Sequence, residues 1–411
     1  MPRAAPYPPK PTPTAMHSFE PTLQAAHARV AAINTEAYAR TRNALGGAVT
    51  YLSPYLTHGF LSLRDVYEQL HARHPLDAKH KLVFELGWRA YWRHVWAHLG
   101  DGIYQSIHQG LLPDDAYQPE MPTDVLEART GVPAIDMAVR ALYETGYVHN
   151  HARMWLASYL VHLRKVHWHT GAQWMLGHLL DGDIASNHLS WQWVAGTGSS
   201  KPYLFNADNV AKYAPAPWHS PGTVIDTSYE ALDQIARHAA PVHSSVGQHT
   251  AESGIQQPTL TSTPPGSGWP APDPSVAVGR HVWLVHPWSL GALPQGLPSD
   301  VVVIGVGFVE SHSRMPWSEH RWHFVEAGLR TQTSQLWWGT AQQVAQALKD
   351  SKSVGWQPEP HADAALQSLQ RLLSQHGHPL VQPQSPAPLF EAVAPYCPSF
   401  SQWWRQTRIA A

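Results

Sequence analysis

Residues 179–193 read LLDGDIASNHLSWQW, and this stretch decides how the first half of the chain is read. Asp181 and Asp183 bracket Gly182 in a turn between two apolar runs, and Asn187 and Trp191 follow four residues apart. Two acids beside a glycine turn are one mark of a calcium loop. The further oxygen ligands and the closing Glu of such a loop are missing here. The acids are therefore read as acceptors for the hydroxyls and ring edge of an organic ligand.

Three further clusters lie upstream. Thr50-Tyr51-Leu52-Ser53 places two hydroxyls and a run of backbone N–H groups before a helix start, a position suited to a phosphate. Ser53-Pro54 serves equally as an ordinary helix start with Pro in its first turn. Residues 84–93, FELGWRAYWR, set Glu85, Trp88, Arg89 and Trp92 on one helical face. A carboxylate, indoles and a guanidinium in one stripe make a poor core and a good wall for a flat ligand such as a base; a surface Glu–Arg pair beside core tryptophans is the plainer alternative. Residues 149–154, HNHARM, bring Asn150, Arg153 and Met154 onto one face, where a solvent-facing Arg is the plainer alternative.

Around these clusters the apolar spacing predicts helices over Leu63–His71, Lys81–Leu99, Pro133–Glu144, His151–His167 and Gln173–Leu180. From Ile255 to Gly279 the composition turns to Pro, Ser, Thr and Gly, which reads as a linker unable to supply a core. Beyond it HVWLVHPW, DVVVIGVGF and QLWWG read as buried strands, with helices over Ser318–Leu329, Thr340–Asp350 and Ala362–His376. Such alternation predicts a small parallel α/β sheet.

The composition bounds the rest. A chain of 411 residues is long enough for two cores, and 43% hydrophobic with 14% charged residues is globular. The net charge of −2 gives no global basic footprint for nucleic acid, although a few placed Lys and Arg suffice for one. A single cysteine, Cys397, excludes a disulfide framework, a four-cysteine zinc site and an iron–sulfur cluster. It fits a reducing, cytoplasmic setting. No metal site is expected, and the 28 histidines are read as surface polarity. The opening MPRAAPYPPKPTPT lacks the apolar run of a signal peptide and reads as a disordered Pro-rich tail. No stretch of 18 apolar residues is present to span a membrane.

The ordered series TYLSPYL, FELGWR, TGVPAID, YVHNHARM, LLDGDIASNHLSWQW and GTGSSKPY, from about Tyr51 to Tyr213, resembles the FAD-binding domain of the DNA photolyase/cryptochrome family. The resemblance implies FAD as cofactor. It assigns Thr50, Tyr51, Leu52 and Ser53 to the loop on the flavin's phosphates, with Val49 where the family usually opens that loop with Thr. It assigns Asp181, Gly182 and Asp183 to the ribityl and isoalloxazine groups, Arg153 to a place beside the flavin, and Asn187 to a place facing N5. Glu85, Trp88, Asn150 and Met154 match contacts to a cyclobutane pyrimidine dimer, with Arg89, Trp92 and His151 completing a DNA-facing surface. Met154 stands where (6-4)-type enzymes carry histidine. Trp191 and Trp168 match the inner members of a tryptophan electron chain, and Tyr117 falls near its outer position.

The expected fold class is a mainly α, photolyase-like FAD-binding domain followed by a smaller α/β domain. Residues 1–19 form the tail, 20–217 the FAD domain, 218–278 a connecting segment and linker, and 279–411 the α/β domain. The family's usual order places the α/β domain first, so the two domains read as reordered. A second, antenna chromophore is left open. The implied activity is light-driven repair of pyrimidine dimers in damaged DNA by a photolyase-type lyase. The alternative is a cryptochrome-type blue-light receptor acting through a protein partner. A monomer is expected, and the helical half is expected to fold and hold flavin without the second half.

Overall fold

The first half is built from amphipathic segments that begin at side-chain caps. Ser62 and Asp65 form a reciprocal capping box, and Asn34, Asp183 and Ser228 each accept from the backbone at a helix start. The computed structural model describes residues 19–243, 254–266, 268–375, 377 and 381–410. All but the last residue of the expected tail therefore lies outside the described residues. The helices run α1 (Leu23–Ala32), α2 (Thr35–Thr41), α3 (Ser53–Thr57), α4 (Leu63–His71), α5 (Lys81–Leu99) and α6 (Thr123–Leu126). They continue as α7 (Pro133–Thr145), α8 (Asn150–Ser158), α9 (Trp168–His178), α10 (Ile184–Ala195), α11 (Ala207–Tyr213) and α12 (Tyr229–Arg237).

The helix expected over His151–His167 is shorter. α8 stops at Ser158, a π turn covers Tyr159–Leu163, and the chain reverses at Lys165 with φ +56°. That left-handed residue is buried, and its ammonium donates to the carbonyls of His162, Ile235 and Ala236. The three bonds offset an unfavourable backbone, and Trp168 starts a new helix.

The second half follows as β1 (Leu260–Thr261), α13 (Pro274–Ala277), β2 (His281–Val285), β3 (Val302–Phe308), α14 (Val309–His312), β4 (Trp317–Ser318) and α15 (Glu319–Arg330). β5 (Leu336–Gly339), α16 (Ala341–Leu348), β6 (Ser353–Trp356), α17 (Asp363–Gln375), β7 (Val381–Pro383) and α18 (Phe400–Gln406) complete it. Five parallel strands stand in the order β5-β3-β2-β6-β7, with Val282 opposite Val302 and Val354. This is the order of one half of a doubly wound sheet, with its switch point between β2 and β6. β6 and β7 have only four and three residues, too short for alternation to declare them.

The Pro/Ser/Thr-rich segment does more than connect. Leu260 and Thr261 pair antiparallel with Ser318 and Trp317, and Trp269 is buried with its indole N–H on Glu326. The helical half has one core cluster of its own, but the two halves also share another. One continuous cluster joins Leu86, Leu176, Leu180 and Ile184 of the helical half to Trp288, Trp317, Trp322 and Leu290 of the other. Pairing across it is also polar, since the fully buried Arg321 donates to the carbonyls of Leu176 and Gly182. This sharing argues against independent folding of the helical half. A fragment ending at residue 253 is expected to expose that core and to lose a cooperative thermal transition. A soluble fragment with a sharp calorimetric peak would contradict this.

The histidines are not merely surface polarity. His58, His162, His178, His188, His286, His312 and His361 are buried. Burial pushes the pKa values of His58, His188 and His312 down to about 3 and those of His162 and His178 to about 4. An unfolded histidine takes its proton near pH 6.5, so the unfolded state binds more protons as pH falls below that value. The stability these groups contribute is complete above pH 6.5 and is lost as pH falls toward their folded values. Each adds a slope of about 1.4 kcal/mol per pH unit in that window. Urea unfolding at pH 7 and pH 5 should show a large loss at the lower value, and equal midpoints would contradict the assignment.

Candidate functional site

Local structure converges the sequence clusters on one cleft. α10 begins at Asp183, whose carboxylate accepts from Ser186 N at 2.8 Å, and its first turns present Ser186, Asn187 and Trp191. α8 brings Asn150, Arg153 and Met154, α5 brings Arg89, and Ser53 lies at the start of α3. Together with Asp181 they line a cleft of about 180 Å³, smaller than the ~300–1,000 Å³ of most small-molecule sites.

Its electrostatics are set by two buried acids, each paired with guanidinium groups. Arg153 grips both oxygens of Asp181 at 2.7 and 2.9 Å and anchors its own Nε on the Val148 carbonyl at 2.7 Å. Asp183 is 1% exposed and takes Arg93 at 2.6 Å and Arg89 at 3.3 Å on one oxygen. Burial alone would push its carboxyl up, but Arg93 and Arg89 hold it well below the usual carboxylate range. Asn187 donates to the Ala172 carbonyl at 2.8 Å, which fixes the amide and leaves its carbonyl oxygen unspent. Ser186 Oγ is buried without a hydrogen-bond partner and lines the cleft. An orphaned hydroxyl among fixed charges fits a ligand with polar edges such as FAD.

Other expected residues lie elsewhere. Thr50 and Tyr51 line a neighbouring cleft with Arg29 and Tyr38, so the run 50–53 separates two clefts. Tyr51 holds φ +52°, a strained conformation for a residue with a side chain, and Leu52 is buried. Gly182 has no room for a side chain, since a Cβ would stand 2.4 Å from the Arg321 guanidinium.

The expected stripe on α5 is split. Glu85 pairs with Arg42 at 3.1 Å rather than with Arg89. Trp88 stacks on Phe400 of α18, ring centroids 4.0 Å apart and 11° from parallel, and Trp92 tilts against Trp88. The ring of Trp404 fills the space over Gly87. His151 packs against Tyr213 and Trp155. Of that stripe only Arg89 reaches the cleft.

The aromatic path is continuous in part. Trp191 borders the cleft, and its ring occupies the space that a Cβ on Gly171, one turn after Trp168, would need. Trp168 is buried and donates to Ser106 Oγ, and His167 bridges it to Tyr117 with centroids 5.8 and 6.3 Å apart.

Sequence reading missed Arg93, Glu359, His361 and Arg321. Arg93 was within reach, four residues after Arg89 and so on the same helical face. The other three lie in the second half and meet the cleft only through the fold.

Arg153→Met would leave Asp181 buried without its cation, at a cost of about 3 kcal/mol in urea unfolding. Adding Asp181→Leu should restore most of that stability. A single variant as stable as the wild type would show that the pair does not hold this site.

Residues 82–219 match the family model for the FAD binding domain of DNA photolyase. Cryptochrome DASH of Gloeobacter violaceus is 35% identical over 173 residues, 40% of this chain and 34% of that protein. The deoxyribodipyrimidine photo-lyase of a Synechococcus strain is 35% identical over 173 residues, 39% of this chain and 35% of that protein. The crystal structure of a Synechocystis cryptochrome aligns with 29% identity over 46% of this chain and 43% of that one, with a TM-score of 0.42. The chain thus spans about a third of the length of the curated relatives it matches. Among the described residues, no helix is long and apolar enough to cross a membrane. Over residues 82–219 the helical half of this chain is thus similar to the FAD-binding domain of the photolyase/cryptochrome family.

Proposed function

We propose that the cleft holds FAD and that the chain uses light to repair cyclobutane pyrimidine dimers in DNA. The observation that carries this reading is the convergence of Asp181, Asp183, Asn187, Arg153, Asn150 and Met154 on one cleft with an unpartnered Ser186 hydroxyl.

When bound, FAD supplies light-driven one-electron chemistry that no side chain provides. The chain's own groups bind and orient. The Asp181–Arg153 pair is nearly neutral as a unit and fixes the cleft wall. Asp183, kept ionised by two guanidiniums, offers a constant acceptor to ligand N–H or O–H groups. Asn187 places a neutral acceptor where an Asp would add negative charge and oppose an electron-rich cofactor. Asn150 and Met154 at the cleft wall supply one amide and one adaptable apolar contact to an extruded pyrimidine dimer. Trp191, Trp168 and Tyr117 give an electron a line of aromatic groups from outside.

One observation favours a second reading, a light sensor without repair. The face of Trp88 that would stack on a lesion is occupied by Phe400. Under the repair reading α18 must yield to DNA, so Phe400→Ala with Trp404→Ala should bind dimer-containing oligonucleotide about tenfold more tightly than the wild type. That is the low end of what one base–aromatic stack contributes. The deciding assay mixes the reduced, FAD-bound protein with dimer-containing oligonucleotide under blue light and counts restored thymines. Restoration supports repair. None from either protein, with flavin bound and photoreduced, leaves the sensor.

A further inference from the structure

Open α/β sheets take ligands outside the carboxyl ends of their strands at the switch point. In this chain that crevice lies between the turn after β2 and the segment after β6, and it receives the run Leu180–Ile184 of the cleft itself. His361 follows β6 and accepts the Ile184 N–H on Nε2 at 3.1 Å. Its proton therefore sits on Nδ1, which donates to Glu359 at 2.6 Å. The imidazole lies flat on Trp288 at 5.2 Å and 7°. Glu359 in turn pairs at 2.5 Å with Arg93, whose other nitrogen is 2.6 Å from Asp183. His58 lies between the same run and the sheet, its ring nitrogens 2.8 Å from the Leu180 carbonyl and 2.6 Å from that of Pro287, and the neutral ring donates to one of the two.

We propose that the α/β domain is a positioning element of the FAD site, in which the Glu359–His361 pair orients Asp183 and sets the charge beside the cofactor. This deepens the FAD reading and rests on it. The geometry separates the role from generic packing. Two carboxylates, Asp183 and Glu359, share one cation, and Glu359 neutralises the excess positive charge that Arg89 and Arg93 would otherwise leave at Asp183. Burial pushes the Glu359 carboxyl up, but Arg93 and His361 bring it down to about 2, so its charge is permanent. His361, buried against Arg93, is held neutral. An N–H acceptor at the first turn of α10 and a compensating anion two residues away are therefore both supplied from outside the helical half.

The test uses the full-length chain, stripped of flavin and titrated with FAD by fluorescence quenching, followed by a spectroelectrochemical midpoint potential. Glu359→Gln keeps shape and removes the charge, so the midpoint potential should shift upward because the electron-rich reduced cofactor gains a net positive neighbour. His361→Ala should weaken FAD binding about tenfold, the scale of one lost hydrogen bond next to a charged group. His361→Gln restores an acceptor for Ile184 and should recover most of that affinity, which a packing role would not predict. Wild-type binding with unaltered affinity and potential in the three variants would overturn the positioning role alone. Failure of the wild type to bind FAD would overturn the cofactor reading and the positioning role with it.

Discussion

A carboxylate that is buried and yet charged organises this molecule. Asp183 is almost without solvent, and a lone ion there would cost several kcal/mol. Arg89 and Arg93 offset that cost, and the first turn of α10 adds a hydrogen bond from Ser186. Everything nearby follows from meeting this constraint. α5 must lie against the start of α10 to deliver two guanidiniums from one face. Arg93 then carries surplus charge, which only Glu359 from the other half balances. The cleft and the sheet are joined by electrostatics before apolar packing is counted.

The apolar packing repeats the message. The loops at the carboxyl ends of β2 and β6 give Trp288 and His361 to the same interface that receives Leu180 and Ile184. A crevice that many α/β domains leave open for a ligand is used here to hold a loop of the neighbouring domain. At the far side of α5, α18 lays Phe400 and Trp404 over Trp88 and Gly87. One helix thus faces a ligand cleft on one side and an aromatic cover on the other, and its two sides need not change together.

The parts legible in the sequence were those with local signatures. α4 and α5 follow their apolar spacing from end to end, and the parallel sheet follows from Val- and Ile-rich runs alternating with helical ones. The acids at 181 and 183, with Asn187 and Trp191 after them, carry enough spacing to be picked out together. What was hidden depends on distance along the chain. Glu359 and His361 are unremarkable in QPEPHAD until the fold sets them beside Asp183. Trp88 and Glu85 share a helical face with Arg89 in projection, but α18 and Arg42 claim them. Histidine count carries no address, so burial of seven of them was invisible. Trp269 shows that a Pro-rich run can still lend one large residue to a core.

The central claim is that the charged Asp183 cleft is a flavin site. The most direct measurement is the FAD content of the purified full-length chain, released by denaturation and compared with that of Asp183→Asn at equal protein concentration. The account predicts close to one FAD per wild-type chain and almost none in the variant, because the neutral amide loses the charge that pairs with Arg89 and Arg93 and puts a donor in place of one acceptor oxygen. Equal flavin in the two proteins, or none in either with the fold intact, would contradict it.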